Sequence, residues 1–192
     1  MVEAGYIFCA WHPSGCRRHA SHGRRGVALV HCPRMILRLG ARTTPIHELC
    51  GRGVRIGVDG GASNDSGSML GEMRIALLLH RLAGGEAEVP WHEWLSPYQL
   101  LRMATVDAAA ILRRSDVGNL SVGACADFTA FDMTGIGFAG ARSDRLSGLL
   151  IAGDDTRAAF TMVGGKVKVQ DGKLVNHNEL SFAPGLTARP HD

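Results

Sequence analysis

No stretch of the sequence is apolar for long enough to cross a bilayer. Apolar runs such as residues 75–79 and 149–152 fall far short of the ~18 residues that a span requires. The opening Met1-Val2-Glu3-Ala4-Gly5 has no basic region followed by an apolar stretch, so no signal peptide is expected. Cys9, Cys16, Cys32, Cys50 and Cys125 are odd in number and form no C-x-x-C pair. This argues against a disulfide framework or a zinc knuckle and for reduced thiols in a cytoplasmic protein. No lysine precedes Lys166 and no G-x-x-x-x-G-K-[ST] is present, which sets a nucleotide-binding P-loop aside. Internal repeats are also missing.

The 192 residues are 45% hydrophobic and 20% charged, with mean hydropathy +0.02. That composition suits a soluble globular chain able to bury a core. The length is below the ~250 residues typical of a complete (β/α)8 barrel. Twenty-five glycines imply many turns. The net charge of +3 is unevenly spread: residues 1–55 hold nine arginines against Glu3 and Glu48, net +7, whereas residues 56–192 carry twelve basic and sixteen acidic groups, net −4. A basic arm could bind nucleic acid. This arm has no nucleic-acid motif, and Trp11 is its only aromatic residue beyond Tyr6 and Phe8, so a solvated arm is the preferred reading.

Residues 12–26 show neither helical nor strand periodicity. Val27-Ala28-Leu29-Val30 reads as a short strand ending at His31-Cys32-Pro33, with Pro33 as its stop. Residues 45–50 look like a short helix closed by Gly51 and Gly53, and residues 54–58 like a second buried strand ending at Asp59. A loop of glycine and small polar residues follows. Residues 68–83 predict a helix with Met69, Met73, Ala76, Leu77 and His80 on one stripe and Gly84-Gly85 as its end. Ser96-Pro97-Tyr98-Gln99 is a capping box opening one helix that carries Leu100, Leu101, Ala104, Ala108, Ile111 and Leu112. Residues 127–132 alternate as a strand. Residues 158–163, 166–170 and 173–175, separated by Gly164-Gly165 and Asp171-Gly172, read as a meander with two tight turns. The order suits β/α units on a parallel sheet followed by a small antiparallel unit.

Asp59 is the most informative position. A carboxylate at the C-terminal end of a parallel strand can bind a metal and take a proton from bound water; equally, Asp59 could only cap the turn before the next helix. Ser63, Asn64 and Asp65 read by default as helix-capping groups. His31 ends a strand and could face a site, although a lone histidine beside an apolar strand is more often a hydrogen-bonded structural group. His19 and His22 are spaced His-x-x-His without helical periodicity or a partner glutamate. His47, His80 and His92 have no ligand-like spacing, and Met69, Met73 and Met103 read as core filling.

Three sets of residues then match a known family. Val54-Arg55-Ile56-Gly57-Val58-Asp59-Gly60-Gly61-Ala62-Ser63-Asn64-Asp65, followed by Met69-Leu70-Gly71-Glu72, resembles the eighth-strand region of the amidohydrolase superfamily. The similarity is greatest to its aromatic deaminase branch of 8-oxoguanine and guanine deaminases and triazine hydrolases. Met103-Ala104-Thr105, Ala108-Ala109-Ala110 and Val117-Gly118-Asn119-Leu120-Ser121-Val122-Gly123-Ala124-Cys125-Ala126-Asp127-Phe128 resemble the family's A-T-x-x-x-A and I-G-x-L-x-x-G-x-x-A-D. Val163-Gly164-Gly165-Lys166-Val167 and Asp171-Gly172 are similar to its closing hairpins. Together these motifs cover about residues 27–176.

The resemblance implies an α/β fold: the C-terminal part of a metal-dependent-hydrolase (β/α)8 barrel plus part of a small β-sandwich. The expected division is a poorly patterned basic arm at 1–26, the last β/α units at 27–115, the sandwich portion at 116–182 and a loose tail at 183–192. The implied activity is metal-dependent hydrolysis of a carbon–nitrogen bond on a purine, pyrimidine or triazine ring, with Zn or Fe activating water. Asp59 matches the carboxylate that binds the metal and shuttles the proton. His31 matches a pocket-lining position, and Ser63 and Asn64 match the loop that positions Asp59.

The departures are as informative. No two histidines stand two apart, so the first-strand His-x-His is missing. Cys9 occupies the place of the sixth-strand histidine, near Phe8 and His12. Arg34-Met35-Ile36 stands where Ser-Ser-Asn or similar is usual. One carboxylate cannot hold a catalytic zinc, which takes about three protein ligands. The expectation is a chain inactive by itself or dependent on an absent N-terminal half in trans. The rival is a non-catalytic pseudoenzyme or interaction subunit pairing with a full-length homologue. Expected partners are a small heteroaromatic substrate and another copy or the missing half, with no membrane and no nucleic acid. The Arg/His/Gly bias of residues 5–26 is also what a frame change or a misplaced start would produce.

Overall fold

The computed structural model describes residues 7–8, 28–41, 54–64, 66–152 and 156–177. The helix expected at 45–50, the His19/His22 pair, Asp65 and the tail from 178 lie outside them.

Three short strands form a parallel sheet: β1 (Ile7–Phe8), β2 (Ala28–His31) and β3 (Val54–Ile56), with β2 central. Ile7 pairs with Ala28, Leu29 with Val54 and His31 with Ile56. The pairing thus extends upstream into the segment that sequence periodicity leaves unassigned, because two residues are too few to show a period. The ladder continues one step past β3, where the Gly57 amide donates to the His31 carbonyl at 2.9 Å. A β-carbon at Gly57 would lie 2.5 Å from Val30 Cγ1, so glycine is what lets the chain leave the sheet here.

Pro33 does more than stop a strand. It is the first residue of a helix, α1 (Pro33–Arg38), which buries Pro33, Met35 and Ile36. Proline lacks only an amide that a first turn leaves unbonded anyway.

The long helix α2 (Met69–Glu86) starts at Ser68, whose hydroxyl accepts from the Gly71 amide at 3.1 Å. It buries Gly71, Glu72, Met73, Ala76, Leu77, His80 and Gly84. Gly84-Gly85 does not end it, contrary to expectation. A β-carbon at Gly84 would lie 2.9 Å from the Trp94 indole nitrogen, which donates to the Val89 carbonyl at 2.8 Å. That glycine admits an indole to the helix flank.

The capping box forms as expected: Ser96 Oγ accepts from the Gln99 amide at 3.2 Å, and Gln99 Oε1 accepts from the Ser96 amide at 2.8 Å. The helix it opens is two helices, α3 (Pro97–Ala104) and α4 (Val106–Ile111), broken at Thr105 with φ −123° and ψ −97°. Gly118, at φ +83°, comes so close that a β-carbon there would lie 2.9 Å from the Thr105 carbonyl. A contact from 13 residues downstream thus sits at the break.

The second sheet is antiparallel, in the order β4 (Phe128–Phe131), β5 (Ala158–Val163), β6 (Lys166–Gln170), β7 (Lys173–Leu174). The turn residues Gly164, Gly165, Asp171 and Gly172 all have positive φ, from 52° to 74°, the geometry that two-residue hairpins favour. Helix α5 (Arg145–Ile151) supplies Leu150 to the main core. There it joins Val54, Ile56, Met73, Ala76, Leu77, Leu95, Leu100 and Met103. A smaller core of Cys32, Met35 and Ile36 sits under α1. Away from these cores, the Arg114 guanidinium grips Asp116 at 2.9 and 2.6 Å, and the Cys125 thiol donates to the same carboxylate at 3.1 Å. No helix among the described residues is long and apolar enough to cross a membrane.

Candidate functional site

The parallel strands place the segments after β2 and β3 on one side of the sheet, where active-site groups of parallel folds gather. Asp59 stands three residues beyond β3, exposed, in a left-handed backbone conformation with φ +65°. Few residues other than glycine, asparagine and aspartate accept that geometry. The Ser63 hydroxyl donates to Asp59 Oδ2 at 2.6 Å, so one carboxylate oxygen is fixed and Oδ1 carries no protein hydrogen bond among those described. Neither Asp59 nor Ser63–Asn64 caps the following helix, a task that falls to Ser68.

Asn64 is 6% exposed. Its Nδ2 donates to the Val58 carbonyl and to Glu72 Oε1, both at 2.7 Å, while its Oδ1 accepts from the Ser66 amide at 3.1 Å. The amide is a strut holding the loop to α2. Glu72, fully buried, is the residue that sequence reasoning missed. Besides Asn64, it accepts from the Arg34 amide at 3.1 Å, and Arg34 Nε lies 3.7 Å away. One carboxylate therefore joins α1, α2 and the loop that carries Asp59. The available signal was a lone acidic residue four positions from Ala76 and eight from His80, on the stripe that faces the core.

His31 is 2% exposed and faces another helix rather than an open mouth. Its Nε2 lies 3.2 Å from His80 Nε2, with ring centroids 5.2 Å apart. One imidazole must donate and the other accept, so the pair is satisfied only when both rings are neutral or share a single donor proton. Burial, and secondarily the charge that His80 would carry, push the His31 pKa down to about 3.

Arg34, Leu37 and Arg38 of α1 face Ser63, Asn64 and Ser66 across a hollow of ≈ 310 Å³. Among the described residues no group of three histidine, cysteine, aspartate or glutamate side chains could hold a metal ion. A catalytic zinc site needs about three protein ligands and one open position. The described residues do not fit a resident metal, since Asp59 stands alone.

Comparison with known proteins gives a consistent result. A family model described as "Amidohydrolase family" matches residues 9–169. The chain is 38% identical over 160 residues to hydroxydechloroatrazine ethylaminohydrolase of Pseudomonas sp. strain ADP, covering 82% of this chain and 33% of that protein. It is 40% identical over 154 residues to 8-oxoguanine deaminase of Pseudomonas aeruginosa, covering 79% and 32%. Among solved structures it is similar to atrazine chlorohydrolase from Arthrobacter aurescens TC1 complexed with zinc, with TM-score 0.81, 32% identity and coverage of 93% and 39%. An adenosine deaminase from Xanthomonas campestris with bound zinc gives TM-score 0.78 and 26% identity over 93% and 40%. The chain spans about a third of the length of the curated relatives it matches.

Proposed function

The chain belongs to the amidohydrolase family, and from that premise we propose that it is the C-terminal portion of a ring aminohydrolase. In this reading β1, β2 and β3 are the last three strands of a (β/α)8 barrel, and β4–β7 are part of the accompanying sandwich. The division into an arm at 1–26, barrel units at 27–115, a sandwich portion at 116–182 and a tail at 183–192 belongs to the same reading, with β1 as the arm's contribution to the sheet. The reaction is hydrolytic cleavage of a carbon–nitrogen bond on a purine, pyrimidine or triazine ring. The relatives' names support the triazine and purine members of that class, and the bound zinc of the neighbouring structures supports metal dependence.

The observation that carries the proposal is the geometry of Asp59: exposed, beyond the C-terminal end of a parallel strand, in a left-handed conformation, with Ser63 holding Oδ2. Such a carboxylate, exposed and with Oδ1 carrying no protein hydrogen bond among those described, can take and return a proton. Ser63 orients it, Asn64 and Glu72 hold its loop, and His31 supports the strand end from within instead of touching substrate. A metal brings water activation in this chemistry, but the described residues supply only one carboxylate toward it. We therefore assign turnover to the assembled barrel, whose remaining ligands come from outside the described residues. Among the described residues the outer edges of β1 and β3 carry no strand partner, and unpaired edges are where a complementing strand docks. The proposed setting is the cytoplasm, in keeping with an odd number of cysteines and no C-x-x-C pair.

The test mixes the purified chain with the first two-thirds of an 8-oxoguanine deaminase, loads zinc, and measures ammonia release from 8-oxoguanine. The mixture should elute as a complex and release ammonia, and the chain alone should not. Turnover by the zinc-loaded chain alone would overturn the need for complementation. A stable, metal-free, inactive complex would favour a second reading, a non-catalytic subunit.

A further inference from the structure

One face of the second sheet carries an apolar track that ends in a groove. Along a single row of the ladder Thr129 pairs with Thr161, Thr161 with Val169 and Val169 with Leu174, and partners in a row share a face. At the β4 end of the row this face meets α2, α3 and α5 across a groove of ≈ 440 Å³, where Thr129 and Thr161 stand among Met69, Met73, Leu101 and Leu149. At the other end Leu174 is 41% exposed. Along β6 the half-buried Val167 and Val169 alternate with exposed Lys166, Lys168 and Gln170, so the charged side of that strand is the opposite face. Apolar surface of this kind favours cover by further apolar side chains.

The chain leaves β7 in the direction of the groove. Leu174 lies opposite Val169, and the Val175 amide donates to the Lys168 carbonyl at 2.8 Å. Strand β7 therefore runs toward the Gly164-Gly165 turn, and Asp127 and Val163, beside that turn, line the groove. Asn176, at φ +64°, then turns the chain. From the row position of Leu174 to that of Thr129 is three strand spacings, about 14 Å. At ~3.3 Å per extended residue the five residues after His177, Asn178-Glu179-Leu180-Ser181-Phe182, span that distance; they lie outside the described residues. Leu180 and Phe182 are two apart with a serine between them, so an extended segment turns both to one side, and Pro184 stops a strand soon after. We infer that residues 178–182 of this chain cover the groove, with Leu180 and Phe182 seated in it. The inference does not depend on the aminohydrolase reading.

Methionine-methyl NMR on the full chain tests it. Phe182→Leu removes an aromatic ring whose field shifts the signals of neighbouring methyl groups. The Met69 and Met73 methyl signals should move, and that of Met35, buried under α1, should not. Leu180→Ser combined with Phe182→Ser should raise the emission of the dye ANS, which binds exposed apolar surface, whereas Leu186→Ser, beyond Pro184, should leave it at the wild-type level. The conservative variant decides the matter should the double variant disturb the fold: unmoved Met69 and Met73 signals in Phe182→Leu would overturn the inference. ANS emission equal in the double variant and the wild type would also overturn it. Wild-type Met69 and Met73 signals that move with protein concentration, together with a dimer in sedimentation, would give the groove to a second copy and would likewise count against cover by this segment.

Discussion

Acid should weaken this fold through one identifiable pair of side chains. His31 and His80 meet Nε2 to Nε2 at 3.2 Å inside the protein, and the His31 pKa falls from an ordinary 6.5 to about 3, chiefly through burial. The folded chain thus keeps His31 neutral where the unfolded chain would protonate it. Its contribution to stability is complete above pH 6.5 and is lost as pH falls toward 3, because the unfolded state then binds the extra proton. With those two values, linkage gives a loss of about 2 kcal/mol between pH 7.5 and pH 5, and about 3 kcal/mol by pH 4. Urea unfolding at a series of pH values measures this. Other groups also titrate over that range, so the informative quantity is the difference between wild type and His31→Leu. That variant is less stable at pH 7.5 but lacks the His31 proton. The two stability curves should converge by about 2 kcal/mol on going from pH 7.5 to pH 5. Parallel curves would refute the reasoning and would mean that His31 is protonated as readily in the fold as outside it.

Glu72→Ala leaves the Asn64 amide and the Arg34 N–H without their buried acceptor, and should cost about 2–4 kcal/mol in urea unfolding; a cost below 0.5 kcal/mol would deny the carboxylate its bridging role. Gly84→Ala drives a methyl into the Trp94 indole and should cost about 1–3 kcal/mol with a change in tryptophan emission, whereas Gly85→Ala, with open space around it, should be neutral or stabilising. The Cys125 pKa is raised, first by its hydrogen bond to Asp116 and then by burial. Cys125 should therefore react slowly with iodoacetamide at pH 8 and faster in Asp116→Asn, as read by peptide mass spectrometry, since the thiolate is the nucleophile; equal rates would contradict the assignment.

What could be read from the sequence was what is local. The Ser96–Gln99 box, the Gly164-Gly165 and Asp171-Gly172 turns and the stripe from Met73 to His80 each encode their geometry within a few residues, and each appears in the structure. Local pattern read Ser63 as a helix cap, a place that Ser68 takes; its contact with Asp59 was implied only by the family resemblance. The misses come from distance. Helix α1 has six residues, less than two turns, and its period cannot be seen. The break at Thr105 coincides with a close approach by Gly118, and the run of α2 through Gly84-Gly85 accompanies the seating of Trp94. The largest miss, Glu72, draws its meaning from Arg34, 38 residues upstream, and no local pattern could show that one carboxylate joins two helices and a loop. His31 read from its surroundings as a hydrogen-bonded structural group, and only the family resemblance implied a place in the pocket. Its partner is His80, and that contact depends on how α2 lies against the sheet, which no local pattern shows.

Asp59 is proposed as the working carboxylate of the assembled aminohydrolase. Ammonia release from 8-oxoguanine by the zinc-loaded, complemented chain tests it most directly when Asp59→Asn is compared with wild type at equal complex concentration, verified by size exclusion. The account predicts a fall in kcat of about 10³-fold for the variant, the scale on which positioned proton transfer contributes. An Asp59→Asn complex that turns over at the wild-type rate would contradict it.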